Sequence, residues 1–159
     1  MLYAPIVTFD EIDRLRPTLG KIVGTSGGFD PLHPGHATCI VESKKYGDTL
    51  VVIVNGDAFL RTKKGKPFQD LATRCRIVSC LRAVDYVVPF EIENDQTVCE
   101  ALRRLRPHYF TKGGDRSRTM RKMRGNRSPR SCGRTRAPRR KRRQSNRNAK
   151  SAAPSRTRR

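Results

Sequence analysis

Apolar residues along this chain fall either into short continuous runs or into runs with helical spacing, and the order in which the two alternate predicts the elements. Continuous runs at residues 21–25, 49–54, 85–89 and 108–112 predict four strands. Runs of this kind, without a polar residue at every second place, suit a parallel sheet covered on both faces. Between the first two strands Ala37, Ile40 and Val41 return at helical spacing and predict a helix over residues 35–46. Asp70 opens a second long helix, which Leu71, Arg74, Cys75, Val78, Leu81 and Arg82 carry through Val84. Thr8 with Glu11, and Thr97 with Glu100, have the spacing of a capping box. They predict a short helix ending before Pro17 and another ending at Arg106, before Pro107. A brief helix also follows strand two, with Lys63, Lys64 and Lys66 in the loop after it. Repeated strand-helix-strand units with right-handed crossovers give an α/β fold, a Rossmann-like doubly wound parallel sheet. Such sheets bind ligands beyond the carboxyl ends of their strands, near the switch in strand order.

Composition divides the chain in two. Residues 116–159 hold 19 of the 35 Lys and Arg, none of the 14 Asp and Glu, and no Leu, Ile, Val, Phe, Tyr or Trp. Residues 1–115 therefore carry 16 basic and 14 acidic side chains, a net charge of only +2, against +21 for the whole chain. A segment without aliphatic or aromatic side chains cannot bury enough apolar surface to offset its ordering entropy. The expected organisation is one α/β domain over 1–115 and a disordered basic C-terminal tail over 116–159. Three readings of the tail stand: an electrostatic arm for nucleic acid or another polyanion, a solvated extension without a partner, or codons read out of frame after Asp115. No apolar stretch approaches the ~20 residues that span a bilayer, and the N-terminus lacks a basic region followed by an apolar core. A soluble, cytoplasmic protein is expected. Five cysteines without C-x-x-C or zinc-like spacing read as reduced core thiols.

The chemistry concentrates in G-G-F-D-P-L-H-P-G-H, residues 27–36, between strand one and the first long helix. The first N–H groups of a helix lack intrahelical partners and its dipole favours negative charge there, so this turn is an anion site. Gly27 and Gly28 let the backbone approach phosphate oxygens, and His33 and His36 add protons and donors. Taken alone the histidines also fit a helix cap at His33, a core His36 or a two-histidine metal site. Asn55 and Asp57 end strand two, where a simple Asx turn is the alternative. The lysines at 63, 64 and 66 are either a solvated face or ammonium groups folded onto phosphates by a glycine-hinged loop.

Four motifs in order, G-G-F-D…H-P-G-H, V-N-G-D at 54–57, K-K-G-K-P at 63–67 and K-G-G-D at 112–115, resemble the cytidylyltransferase-like nucleotidyltransferase family. Its members include glycerol-3-phosphate cytidylyltransferase, heptose-phosphate adenylyltransferase and small FAD synthetases. The resemblance spans residues 21–115. It implies His33, His36 and Lys64 as catalytic groups that hold the triphosphate as pyrophosphate leaves. It implies Thr25, Gly27, Gly28, Phe29, Asp30, Arg74, Lys112, Gly113, Gly114 and Asp115 at the nucleotide, with Asn55 and Asp57 orienting the acceptor or the loop. Three departures stand out. Ala72-Thr73 replaces an acidic residue before Arg74, Gly56 stands where the family has serine, and no R-T-x-x-I-S motif follows Asp115, Arg134-Thr135 being a coincidence of composition.

The implied reaction moves CMP or AMP from CTP or ATP to a small phosphate monoester. Mg²⁺ would arrive with the triphosphate and keep several waters, with no dedicated protein metal site and Asp30 the nearest carboxylate. If the family's last strand and helix are missing, strand four becomes an open edge, and weak turnover, aggregation or a homodimer is expected. The alternative from another class is a nucleic-acid or polyanion-binding protein that acts through its tail on an inactive α/β scaffold.

Overall fold

The computed structural model describes residues 3–91, 98–113 and the strand Arg121–Lys122. All of them lie in one compact unit, Met1–Ser128; the second unit, Pro129–Arg159, falls outside the described residues, and with it most of the expected tail.

The chain begins with α1 (Phe9–Leu15), where Thr8 and Glu11 form the capping box that their spacing predicts. Then come β1 (Ile22–Gly27), α2 (Pro34–Lys44), β2 (Thr49–Asn55), α3 (Asp57–Lys64), α4 (Leu71–Ser79), β3 (Tyr86–Phe90), α5 (Cys99–Leu105), β4 (Tyr109–Thr111) and β5 (Arg121–Lys122). The sheet order is β3-β2-β1-β4-β5. Its first four strands are parallel, with Val23 opposite both Leu50 and Tyr109, and the fold is the expected Rossmann-like doubly wound one. The order reverses at β1, between β2 and β4, so the switch point lies at the carboxyl end of β1.

Every residue of β2 is buried, as a central strand of a two-sided sheet requires. Its side chains alternate between faces. Val51 and Ile53 join Phe9, Ile12, Val88 and Leu105 in one core cluster, under α1 and α5. Leu50, Val52 and Val54 join Ile40, Cys75, Val78 and Val84 in the other, under α2 and α4. A sheet loaded on both faces gains roughly 25 cal/mol for each Å² of apolar surface so buried, which fixes the frame that carries the loops.

Several elements differ from the expectations. α4 ends at Ser79 instead of continuing through Val84, with Cys80 as its C-cap. The apolar rhythm outruns the helix because Leu81 and Val84 pack into the same cluster from a turn. That turn is closed by Asp85, whose carboxylate accepts from the Leu50 N–H at 2.6 Å and from Lys44. Lys63 and Lys64 form the last turn of α3 rather than a loop. The N-cap of α5 is Val98, without a side-chain cap; Thr97 lies outside the described residues, and Glu100 pairs instead with Arg103 and Arg104. Past Asp115, Arg121–Lys122 pairs antiparallel with Tyr109 and Phe110, so β4 is not an open edge at those positions. Among the described cysteines Cys39, Cys75 and Cys80 are free, Cys80 is exposed rather than in the core, and Cys99 is disulfide-bonded. Burial pushes the Cys75 thiol up to about 11. Among the described residues no helix is long and apolar enough to cross a membrane.

Candidate functional site

The carboxyl ends of β1 and β2 and the N-terminus of α2 converge on the segment 27–36. Gly27 closes β1, and Phe29 turns the chain through a positive φ of 50°. The Phe29 ring is buried, covers Gly27 and meets His36 edge-on, with centroids 5.1 Å apart. His33 is the N-cap of α2 by its backbone, yet its side chain caps nothing. Instead its imidazole stacks on that of His36, 3.7 Å between centroids and 27° between planes. Pro34 follows as the first helical residue, with φ already set for the helix.

The electrostatics of the histidine pair follow from this packing. Burial holds the His36 pKa below its ordinary 6.5, and the charges of His33 and Lys64 push it the same way. Its Nδ1 is buried and, among the described residues, has no hydrogen-bond partner. An anion beside the two imidazoles and the Lys64 ammonium group would reverse that repulsion.

Lys64 reaches this loop from the end of α3, its Nζ donating to the Asp30 carbonyl at 3.1 Å. Asp30 itself is only 5% exposed. Its two carboxylate oxygens accept from the Phe68 and Gln69 N–H groups at 2.8 and 2.9 Å. The side chain expected near the nucleotide and its metal thus clamps the loop between α3 and α4. Among the described residues no group of three His, Cys, Asp or Glu side chains is placed to hold a metal ion.

Arg74 is a second correction. Expected on the nucleotide, it is 0% exposed and the largest fully buried side chain of the fold. Its Nη1 donates to the carbonyls of Gly28 at 2.7 Å and Asn55 at 2.6 Å, its Nε to that of Gln69 at 3.1 Å, and its Nη2 to Asp57. Four of the five guanidinium N–H groups are thereby engaged, tying together the ends of β1 and β2, the start of α3 and the loop before α4. Asp57 is accordingly this arginine's partner, while Asn55, buried at the end of β2, offers its carbonyl.

The remaining expected residues divide. Thr25 is buried and donates to the Thr111 carbonyl at 3.1 Å, which binds β1 to β4 instead of facing a ligand. Lys112 and Gly113 lie exposed just beyond β4, and a Cβ on Gly113 would come within 3.0 Å of the Cys39 sulfur on α2. Gly114 and Asp115 fall outside the described residues. The structure therefore brings His33, His36, Phe29, Lys64 and the Gly27-Gly28 turn into one cradle and turns Asp30, Arg74 and Asp57 into its frame.

One contact was missed in the sequence. Glu91, the first residue after β3, accepts from the Asp57 N–H at 2.7 Å and the Ala58 N–H at 2.8 Å. Its signal was available: a carboxylate directly after a strand's carboxyl end, the first of Glu91, Glu93 and Asp95, in a sheet whose other three parallel ends carry the motifs.

A family model described as cytidylyltransferase-like matches residues 25–146. The chain belongs to the cytidylyltransferase-like family. The match runs past Asp115, where the motif resemblance ends, and so covers part of the basic segment as well. Among curated members, the chain is 40% identical over 116 residues to the bifunctional protein HldE of Aliarcobacter butzleri, a match of 69% of this chain and 24% of that protein. It is 43% identical over 96 residues to the HldE of Nitrosococcus oceani, covering 59% of this chain and 20% of that one. The chain thus spans about a quarter or less of these relatives' length. Of solved structures, the lipopolysaccharide core biosynthesis protein of Thermoplasma volcanium is 34% identical, with a TM-score of 0.53 over 58% of this chain and 73% of that one.

Proposed function

We propose that this cytidylyltransferase-like chain is a nucleotidyltransferase that moves AMP or CMP from ATP or CTP to a small phosphate monoester. The observation that carries the reading is the stacked His33–His36 pair at the N-terminus of α2, with the His36 Nδ1 buried and unpartnered beside the Lys64 ammonium. A triphosphate matches that demand in charge and in acceptor atoms.

In the reaction an oxygen of the acceptor phosphate attacks the α-phosphorus in line. A P–O bond forms to the acceptor as the bond from the α-phosphorus to the bridging oxygen of the β-phosphate breaks, and pyrophosphate departs with its electron pair. Little covalent work falls to the protein beyond alignment and charge stabilisation. The α2 N-terminus and the Gly27-Gly28 turn take phosphate oxygens on backbone N–H groups. His33, His36 and Lys64 donate to the oxygens whose charge grows as pyrophosphate leaves. Lys112 and Gly113, beyond β4, are assigned to the nucleoside end.

Mg²⁺ belongs to the substrate in this reading, bound by the triphosphate and by water. The carboxylates of Asp30 and Asp57 are already taken by backbone N–H groups and by Arg74, so neither is assigned to the ion. The motif resemblance to heptose-phosphate adenylyltransferase favours a sugar phosphate as acceptor, and a triphosphate substrate suits a cytoplasmic setting.

Pyrophosphate release with ATP and with CTP, against sugar phosphates, glycerol phosphate and FMN, tests the proposal. Turnover with one nucleotide and one acceptor class, lost in H33A and H36A, is expected. A chain that neither binds nor consumes either nucleotide overturns it.

A further inference from the structure

α3 links two parts of the molecule that the site needs in register. It starts at Gly56, after β2, and ends on Lys64, whose Nζ lies on the Asp30 carbonyl. From Asp57 to Lys64 the helix is about 10 Å long at 1.5 Å per residue, so a tilt of about 10° at its start moves the lysine by about 2 Å. The direction of α3 therefore decides whether Lys64 meets a phosphate oxygen.

The start of the helix is not capped from within, since its N-cap is Gly56 and has no side chain to offer. Glu91 does this from the end of β3, placing Oε2 on the Asp57 N–H and Oε1 on the Ala58 N–H. A carboxylate at this end also meets the positive pole of the helix dipole. Gly56 N–H donates to the Phe90 carbonyl at 2.7 Å, so backbone and side chain join α3 to β3 at one point. The fit depends on glycine: a Cβ at position 56 would lie 2.0 Å from Oε2 and 2.2 Å from Cδ of Glu91. Gly56, which departs from the serine of the resembled motif, leaves the space that the carboxylate fills.

Resting on the functional reading above, we propose that Glu91 is a positioning residue for nucleotide binding: it fixes the direction of α3 and, through it, the place of Lys64. Its own side chain touches no substrate. Glu91 is exposed, so truncating it empties no core and strands no buried charge.

The test is a double-mutant cycle on the full chain, read as the dissociation constants of ATP and of CTP, each with Mg²⁺, by titration calorimetry. E91A is expected to weaken the bound nucleotide about tenfold, the scale of one lost charge-assisted hydrogen bond from Lys64. In a K64A background the same change has no further effect, because the helix then has nothing to position. E91Q, with one acceptor oxygen for two N–H groups, gives a partial loss. G56A reproduces E91A by evicting the flexible carboxylate without offering a capping oxygen of its own, while leaving Glu91 in the chain. Effects of E91A and K64A that multiply, or an E91A affinity equal to that of the unmodified chain while K64A weakens binding, overturn the inference and leave the functional reading standing. An unmodified chain that binds neither nucleotide overturns the functional reading itself.

Discussion

His36 carries two opposite pH dependences in one side chain. Its pKa is held below the ordinary 6.5 in the folded chain, with burial as the first cause. As pH falls below about 6.5, the unfolded chain takes up a proton that the folded chain refuses, so stability declines toward acid. Urea denaturation at about pH 7.5 and 5.5 is expected to show that decline, and H36N to flatten it. Nucleotide binding has the other sign, since a polyanion favours the imidazolium. Affinity should rise as pH falls through the same range, with proton uptake measurable in buffers of different ionisation heat. Arg74 makes a sharper prediction. R74M leaves Asp57 and three carbonyls without their donor and should cost about 3 to 5 kcal/mol of unfolding free energy, whereas a surface arginine would cost almost nothing. The histidines were legible because their spacing and neighbours are local. Arg74 was legible as important but not in its role, because burial depends on α4 folding back over the ends of β1 and β2, which local spacing does not encode.

At the scale of elements, the loop between α3 and α4 is held by one side chain. D30N keeps a single acceptor oxygen for the Phe68 and Gln69 N–H groups, and leaving one buried donor unmet costs about 1 to 3 kcal/mol. Faster amide exchange confined to Phe68 and Gln69 is the expected signature, while Lys64 keeps its contact, which is to the backbone carbonyl of residue 30. Strands and helix starts were readable here because each rests on short-range rules. Thr8 with Glu11 is the example, two residues that satisfy each other's backbone. Helix ends were less readable. α4 stops at Ser79 although its apolar rhythm continues, because Asp85 redirects the chain by binding the start of β2 and Lys44.

At the scale of the whole molecule, charge is the dominant fact. With 19 of 35 basic side chains after Asp115, that segment has the charge that would attract a polyanion. A nucleic-acid-binding role therefore stands as the second reading. Ending the chain at Ser128, the boundary of the first unit, removes 13 of those 19 basic side chains and is expected to weaken any RNA binding that falls steeply with salt while sparing nucleotide binding. RNA binding undiminished by the truncation would locate it in residues 1–128. Resequencing of the gene addresses the out-of-frame reading, which predicts a nearby frame that restores an apolar continuation; no such frame would dismiss it.

The sequence by itself determined the family, the parallel sheet and the glycine turn at its switch point, because continuous apolar strands and a glycine turn into a helix are local patterns with few solutions. Tertiary structure alone decided which polar residues of that loop's surroundings are free. Asp30, Asp57 and Arg74 look like ligand groups in a linear reading. Asp30 and Arg74 are buried and Asp57 half-buried near the ends of β1 and β2, and each finds its partner within the protein. Among the described residues, the stacked histidine pair and the lysine that α3 delivers are the groups that the proposed function assigns to the substrate.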